Sequence, residues 1–179
     1  DRNPVDVISY AYSLPFFKGR GGLREIIAGG WELSGITQLQ SGGWLTPLYS
    51  TPTGSRRPDR VGDVRYLDPR QVQTLVGGNA TQTTGNFYFD PTPGTTFTAP
   101  PLDGYGNSAP YIVRGPGRNN WDFPMFNSSR LREGINLQFR GEFFNVSNHA
   151  EFQNPNMTAT NPSYDTISNS GPQRIVQFG

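Results

Sequence analysis

Cysteine is absent from this 179-residue chain, which removes disulfides, thiol catalysis and cysteine-bound zinc or iron–sulfur centres. Histidine occurs once, at His149. With no second imidazole and no thiolate beside it, a transition-metal site lacks a ligand set, and a loop residue is the expected role. No apolar run approaches the roughly 20 residues of a membrane-spanning helix, which leaves a β-barrel as the only spanning option. An excess of one charge sign is lacking too. Fifteen Lys and Arg against 14 Asp and Glu leave a formal charge of +1, so no global field argues for nucleic acid or an anionic surface. Asp1 to Pro4 does not read as a signal peptide, so any export signal is expected on an earlier part of the precursor.

What the chain does have is 22 Gly, 16 Pro and 13% aromatics at a hydrophobic fraction of only 34%. That composition favours strands separated by long, turn-rich loops. Residues Asn119 to Asn148 read as a hairpin turning at Arg132 to Ile135. On its first arm Trp121, Phe123 and Met125 share one face, opposite Asp122, Ser128 and Arg130. On its second arm Leu137, Phe139, Gly141 and Phe143 stand opposite Gln138, Arg140 and Glu142. A soluble sandwich with the aromatic face inward and a barrel with that face toward lipid both satisfy this alternation.

The same period of two marks residues 5–14, where Ile8, Tyr10, Tyr12 and Leu14 oppose Val7, Ser9, Ala11 and Ser13. It returns over 31–41, where Trp31, Leu33, Thr37 and Leu39 oppose Glu32, Gln38 and Gln40, and over 173–179, where Val176 and Phe178 oppose Ile175 and Gln177. A short helical turn is expected over Leu23 to Ala28. Amides and a carboxylate on one face suit a wet lumen better than a dry core, where each unpaired group costs about 1–3 kcal/mol. The spacing therefore predicts an all-β, antiparallel meander or partial barrel, one domain over 1–179, with strands near 5–14, 31–41, 119–131, 136–146 and 173–179. A long loop is expected at 42–118, anchored by Phe87, Tyr88, Phe89, Phe97 and Tyr105, and a second loop at 147–172.

Sites of chemistry are few. Asp59, Asp63 and Asp68 are close in sequence, but their spacing is not that of a calcium loop. Arg140 with Glu142, and Arg130 with Asp122, read as ion pairs along a strand face rather than as acid–base catalysts. Gly115-Pro116-Gly117 leads into a strand, so no helix N-terminus is present to hold phosphate. No catalytic, cofactor-binding or metal residue is assigned, and the expectation is a protein that is not an enzyme and has no cofactor.

Six segments in order carry a resemblance: Ser9-Tyr10-Ala11-Tyr12-Ser13-Leu14-Pro15-Phe16, Gly30-Trp31-Glu32-Leu33-Ser34-Gly35-Ile36, Arg57-Pro58-Asp59-Arg60-Val61-Gly62-Asp63, Arg114-Gly115-Pro116-Gly117-Arg118-Asn119-Asn120-Trp121-Asp122, Phe139-Arg140-Gly141-Glu142-Phe143-Phe144-Asn145-Val146-Ser147-Asn148 and Arg174-Ile175-Val176-Gln177-Phe178. The chain resembles the C-terminal barrel region of bacterial TonB-dependent outer-membrane receptors, especially Oar-like proteins with a carboxypeptidase-regulatory-like domain. The resemblance implies an outer-membrane or extracellular location and two extracellular long loops. It also implies an outward apolar face of Ile8, Tyr10, Tyr12, Trp31, Leu33, Trp121, Phe123, Phe139, Phe143 and Phe178. The inward polar face would be Glu32, Gln38, Asp122, Arg130, Gln138, Arg140 and Glu142. Relative to that family, these 179 residues read as lacking the plug, the TonB-contacting segment and the signal peptide, and Gly179 as falling short of the terminal aromatic. About five strands against a minimum of eight in single-chain barrels leave two open edges, at Val5, Val7 and Ser9 and at Ile175, Val176 and Gln177. The expected function is therefore a structural one: a chain that self-associates through those edges as the repeating subunit of an extracellular filament. The alternatives are part of an intact transporter importing an unknown ligand, with TonB and that ligand as partners in the full receptor, and a soluble carbohydrate-binding sandwich.

Overall fold

The computed structural model describes residues 3–16, 22–76, 82–132 and 134–179. The chain divides into two compact units, one of Asp1–Ser41, Arg118–Glu151 and Gly171–Gly179, the other of Gly42–Gly117 and Phe152–Ser170. The first unit is built on five strands, β1 (Val5–Ser13), β2 (Trp31–Gln40), β3 (Arg118–Arg132), β4 (Ile135–Phe144) and β5 (Ile175–Phe178), with one short helix, α1 (Leu23–Ala28). They form one open sheet in the order β1-β2-β3-β4-β5, with every neighbour antiparallel. The fold is all-β, a partial barrel rather than a closed one.

Local chemistry sets the strand ends. Leu14 closes β1 by donating its N–H to the Trp31 carbonyl at 2.8 Å, and Pro15, which has no N–H, cannot extend the ladder. The β3–β4 hairpin has a register shift between Arg130 and Arg132, and Gly134 takes a φ of 80° in the turn, a conformation that glycine adopts without a Cβ clash. Glu133, in the expected Arg132–Ile135 turn, lies outside the described residues. Strand β4 stops at Phe144, two residues before the expected 146. Asn145 has a φ of 48°, and its side chain turns back on the chain: Oδ1 accepts from the His149 N–H at 3.0 Å while Nδ2 donates to the His149 carbonyl at 2.9 Å.

The second unit corrects the expectation of an irregular loop at 42–118. It folds around short antiparallel pairs: Trp44–Leu45 with Val113–Arg114, Tyr49–Thr51 with Gly54–Arg56, Asp59–Arg60 with Phe97–Thr98, and Gln73–Val76 with Gln82–Gly85. Its core joins Phe89, Phe97 and Val113 to Ala159 and Tyr164, and Phe87 and Ile167 are buried as well. Each large side chain so buried is worth about 1.5–3 kcal/mol. The buried Asp165 ties the two segments together: its Oδ2 accepts from the Phe89 N–H at 2.6 Å, and its carbonyl accepts from the Tyr88 N–H at 3.1 Å. Burial pushes the Asp165 carboxyl up to about 9, against the pull of those N–H groups, and among the described residues its Oδ1 has no hydrogen-bond partner. Phe87, Phe89 and Phe97 do anchor this unit and Tyr88 is half-buried, but Tyr105 is 72% exposed. Its segment is held by backbone instead. Gly106 donates to the Arg57 carbonyl at 2.9 Å and lies so close to Pro58 that a Cβ would fall 2.1 Å from the Pro58 carbonyl carbon.

Candidate membrane-facing surface

Strand register decides which side chains share a face. Tyr10 lies opposite Gly35 and Tyr12 opposite Leu33; Leu33 pairs with Met125 and Thr37 with Trp121. Phe123 pairs with Phe143 and Met125 with Gly141, and Gly141 in turn pairs with Phe178. Paired residues point the same way, so Ile8, Tyr10, Tyr12, Trp31, Leu33, Trp121, Phe123, Phe139, Phe143 and Phe178 occupy one face. The same pairings put Ser9, Glu32, Gln38, Asp122, Arg130, Gln138, Arg140 and Glu142 on the other, together with Val5, Val7, Ile175 and Gln177. Val176 falls on the aromatic face. β1 and β5 are the two edges of the sheet.

The aromatic face is exposed. Phe178 is 66% exposed, Tyr12 60% and Phe139 39%, and the buried positions described in this unit are only Gly29, Gly35, Thr37, Asn127, Ser129, Gly141 and Asn145. The rings pack laterally along the sheet: Phe139 meets Trp31 at 5.6 Å and Phe178 at 5.9 Å, and Phe178 meets Phe143 at 6.1 Å. Tyr10 lies over Gly35, where a Cβ would be 2.4 Å from the ring. A patch of this kind is far from the scattered single apolar residues of an ordinary soluble surface.

Its dimensions match a bilayer. Ten residues in each of β2 and β4 span about 33 Å along the strand, or about 25 Å of height at a tilt near 40°, the height of the apolar band of outer-membrane barrels. Two indoles stand on this face. The Trp31 Nε1 donates to the Ile27 carbonyl at 2.9 Å, and the Trp121 Nε1 donates to Asn119 Oδ1 at 2.7 Å, so each ring keeps an apolar body and a satisfied polar tip. Two polar residues interrupt this face near the α1 end, Asn127 and Ser129. Both are buried and satisfied: Asn127 donates to the Gly29 carbonyl, and the Ser129 hydroxyl donates to the Ile26 carbonyl at 2.8 Å.

The opposite face carries polar side chains and an ion pair. Arg140 Nε donates to Glu142 Oε1 at 2.8 Å, Gln177 Nε2 donates to Glu142 Oε2 at 2.9 Å, and the Arg140 guanidinium lies 5.4 Å from the Phe126 ring centroid. Asp122 does not meet Arg130. Its carboxylate instead accepts from the Asn145 N–H at 3.0 Å, closing the turn after β4.

A family model of outer membrane β-barrel domains matches residues 1–177. The chain belongs to this family. It is an outer-membrane barrel-type protein, and its location is the bacterial outer membrane. No curated protein and no solved structure matched the chain.

Within this barrel-family chain the other residues weighed from sequence stand apart. Asp63 pairs with Arg60 at 2.6 Å, Asp68 pairs with Arg70 at 2.8 Å, and Asp59 accepts from the Asn107 N–H at 2.7 Å. The Arg70 hydrogen bonds hold the Asp68 carboxyl below its ordinary value. Among the described residues no group of three His, Asp or Glu side chains is placed to hold a metal ion. His149 Nδ1 lies 3.2 Å from Glu151 Oε1, which also accepts from the Asn119 N–H at 2.8 Å. Sequence reasoning missed Asn127, Ser129 and Asp165. The first two carried one available signal, polar residues in register with an otherwise aromatic face, whereas Asp165 carried none.

Proposed function

We propose that the sheet is a wall segment of a barrel of the TonB-dependent receptor type, and that the chain has no catalytic role. The aromatic face stands against lipid and the Arg140–Glu142–Gln177 face lines the interior. The observation that carries this reading is the largely exposed aromatic face opposite a polar face that holds the Arg140–Glu142 ion pair and its Gln177 partner. The β2–β3 and β4–β5 connections leave the same end of the meander, and long connections of outer-membrane barrels are extracellular. On this reading the whole receptor's partners are TonB and an imported ligand. With no native cysteine, Phe139→Cys and Arg140→Cys each give one thiol for a fluorophore. In vesicles, a quencher confined to the acyl chains should quench the label at 139 and an aqueous quencher the label at 140. Equal aqueous quenching at both positions would refute the assignment.

A second reading is motivated by the open outer edges of β1 and β5 in the sheet: copies of the chain pair edge to edge and propagate as a filament. Electron microscopy of the purified chain tests it. Filaments with a strand-spaced repeat support the reading, and a monodisperse monomer in detergent rules it out.

A further inference from the structure

The second unit carries an exposed cluster that the barrel reading leaves unused. Trp44 and Arg114 are direct partners across their two-residue ladder, and the Arg114 guanidinium carbon lies 5.0 Å from the Trp44 ring centroid, so the indole orients the cation. The Arg114 backbone N–H donates to the Tyr66 hydroxyl oxygen at 2.9 Å, which leaves the Tyr66 proton free to be donated elsewhere. Tyr66 stands edge-on to Tyr88 at 5.5 Å. Trp44 and Tyr66 are 40% and 47% exposed. Among the described residues the Arg114 guanidinium has no acceptor and the Tyr88 hydroxyl has no hydrogen-bond partner. Every acid discussed for this unit is engaged elsewhere: Asp59 with Asn107, Asp63 with Arg60, Asp68 with Arg70 and Asp165 with Phe89.

We propose that Trp44, Tyr66, Tyr88 and Arg114 form a binding site for a uronic acid unit of an acidic polysaccharide. A guanidinium fork matches a carboxylate with two parallel hydrogen bonds. A simple phosphate would use that fork and leave the neighbouring aromatic surface uncovered. A pyranose ring carrying a carboxylate uses both, with its C–H face against the exposed rings and its hydroxyls toward the two tyrosines. Burial pushes the Tyr88 hydroxyl up to about 12, so it stays a proton donor at neutral pH.

The proposal is independent of how the sheet is assigned. The full chain is titrated by calorimetry with trigalacturonate, its methyl ester and inorganic phosphate. The acid trimer should bind roughly tenfold or more tighter than the ester, since a hydrogen bond to a charged group is worth that or more. Arg114→Gln should abolish this preference, and Trp44→Ala should weaken both sugars. Thermal melting monitors the fold. If Arg114→Gln melts abnormally, Arg114→Lys carries the test, because it keeps the charge but loses the fork and should weaken the acid trimer alone. Equal binding of acid and ester, binding of neither, phosphate binding as tight as the trimer's, or a preference undiminished by loss of the fork would overturn the proposal.

Discussion

Phe139 and Gln138 are adjacent in β4, yet their pairings with Asn127 and Ser128 put them on opposite faces of the sheet. Phe139 is the fifth of ten strand residues, so at the tilt considered above it lies near the middle of the apolar band. Replacing it with Arg puts a charge at the bilayer midplane, which costs about 2–4 kcal/mol. Its ring contacts with Trp31 at 5.6 Å and Phe178 at 5.9 Å are lost as well, adding about 0.5–1.5 kcal/mol each at most. Gln138→Arg adds the same charge to the wet face and should change stability by about 0.5 kcal/mol or less. The assay is reversible urea unfolding of each variant in lipid vesicles. A difference of at least about 2 kcal/mol between the two substitutions is expected, falling below about 1 kcal/mol at the membrane–water interface position Trp121→Arg. If Phe139→Arg and Gln138→Arg cost the same in vesicles, the aromatic face does not meet lipid, and the argument from register to membrane fails.

Gly35→Ala should force the Tyr10 ring aside, because a Cβ there meets it at 2.4 Å; a loss of about 1–3 kcal/mol is expected in the same unfolding assay. Asp122→Ala removes the acceptor for the Asn145 N–H and should cost about 1–2 kcal/mol, visible as faster amide exchange over 145–149. Breaking the Arg140–Glu142 pair with Glu142→Gln should cost under about 1 kcal/mol, since Arg140 is mostly exposed. Asp165 binds a proton in the fold that the unfolded chain releases near its ordinary value of 3.8, and burial holds its carboxyl up to about 9. Its contribution is therefore complete below about pH 4 and is lost as pH rises through about 9, with a slope of at most about 1.4 kcal/mol per pH unit. Melting of the second unit should show this fall, and Asp165→Asn should flatten it.

The four long strands of the sheet were legible because alternation is a local property: a strand with one apolar face repeats every two residues, and a slip by one would invert the whole set. Ile8, Tyr10, Tyr12, Phe139, Phe143 and Phe178 declare their common side from spacing alone. Spacing does not say how that side is left in the fold; tertiary structure shows that the sheet stays open and that its aromatic face is exposed. The second unit was illegible for the opposite reason. Its strands of two to four residues are too short to show a period. Its core joins Phe89 to Tyr164 across a long stretch of chain, rings 5.7 Å apart, and its ties are single contacts such as Phe89 N–H to Asp165. Composition determined an all-β chain and periodicity determined the faces. Only the three-dimensional pairing of distant segments made the Gly- and Pro-rich stretch a folded unit, because non-local burial leaves no repeating mark on the residues that supply it.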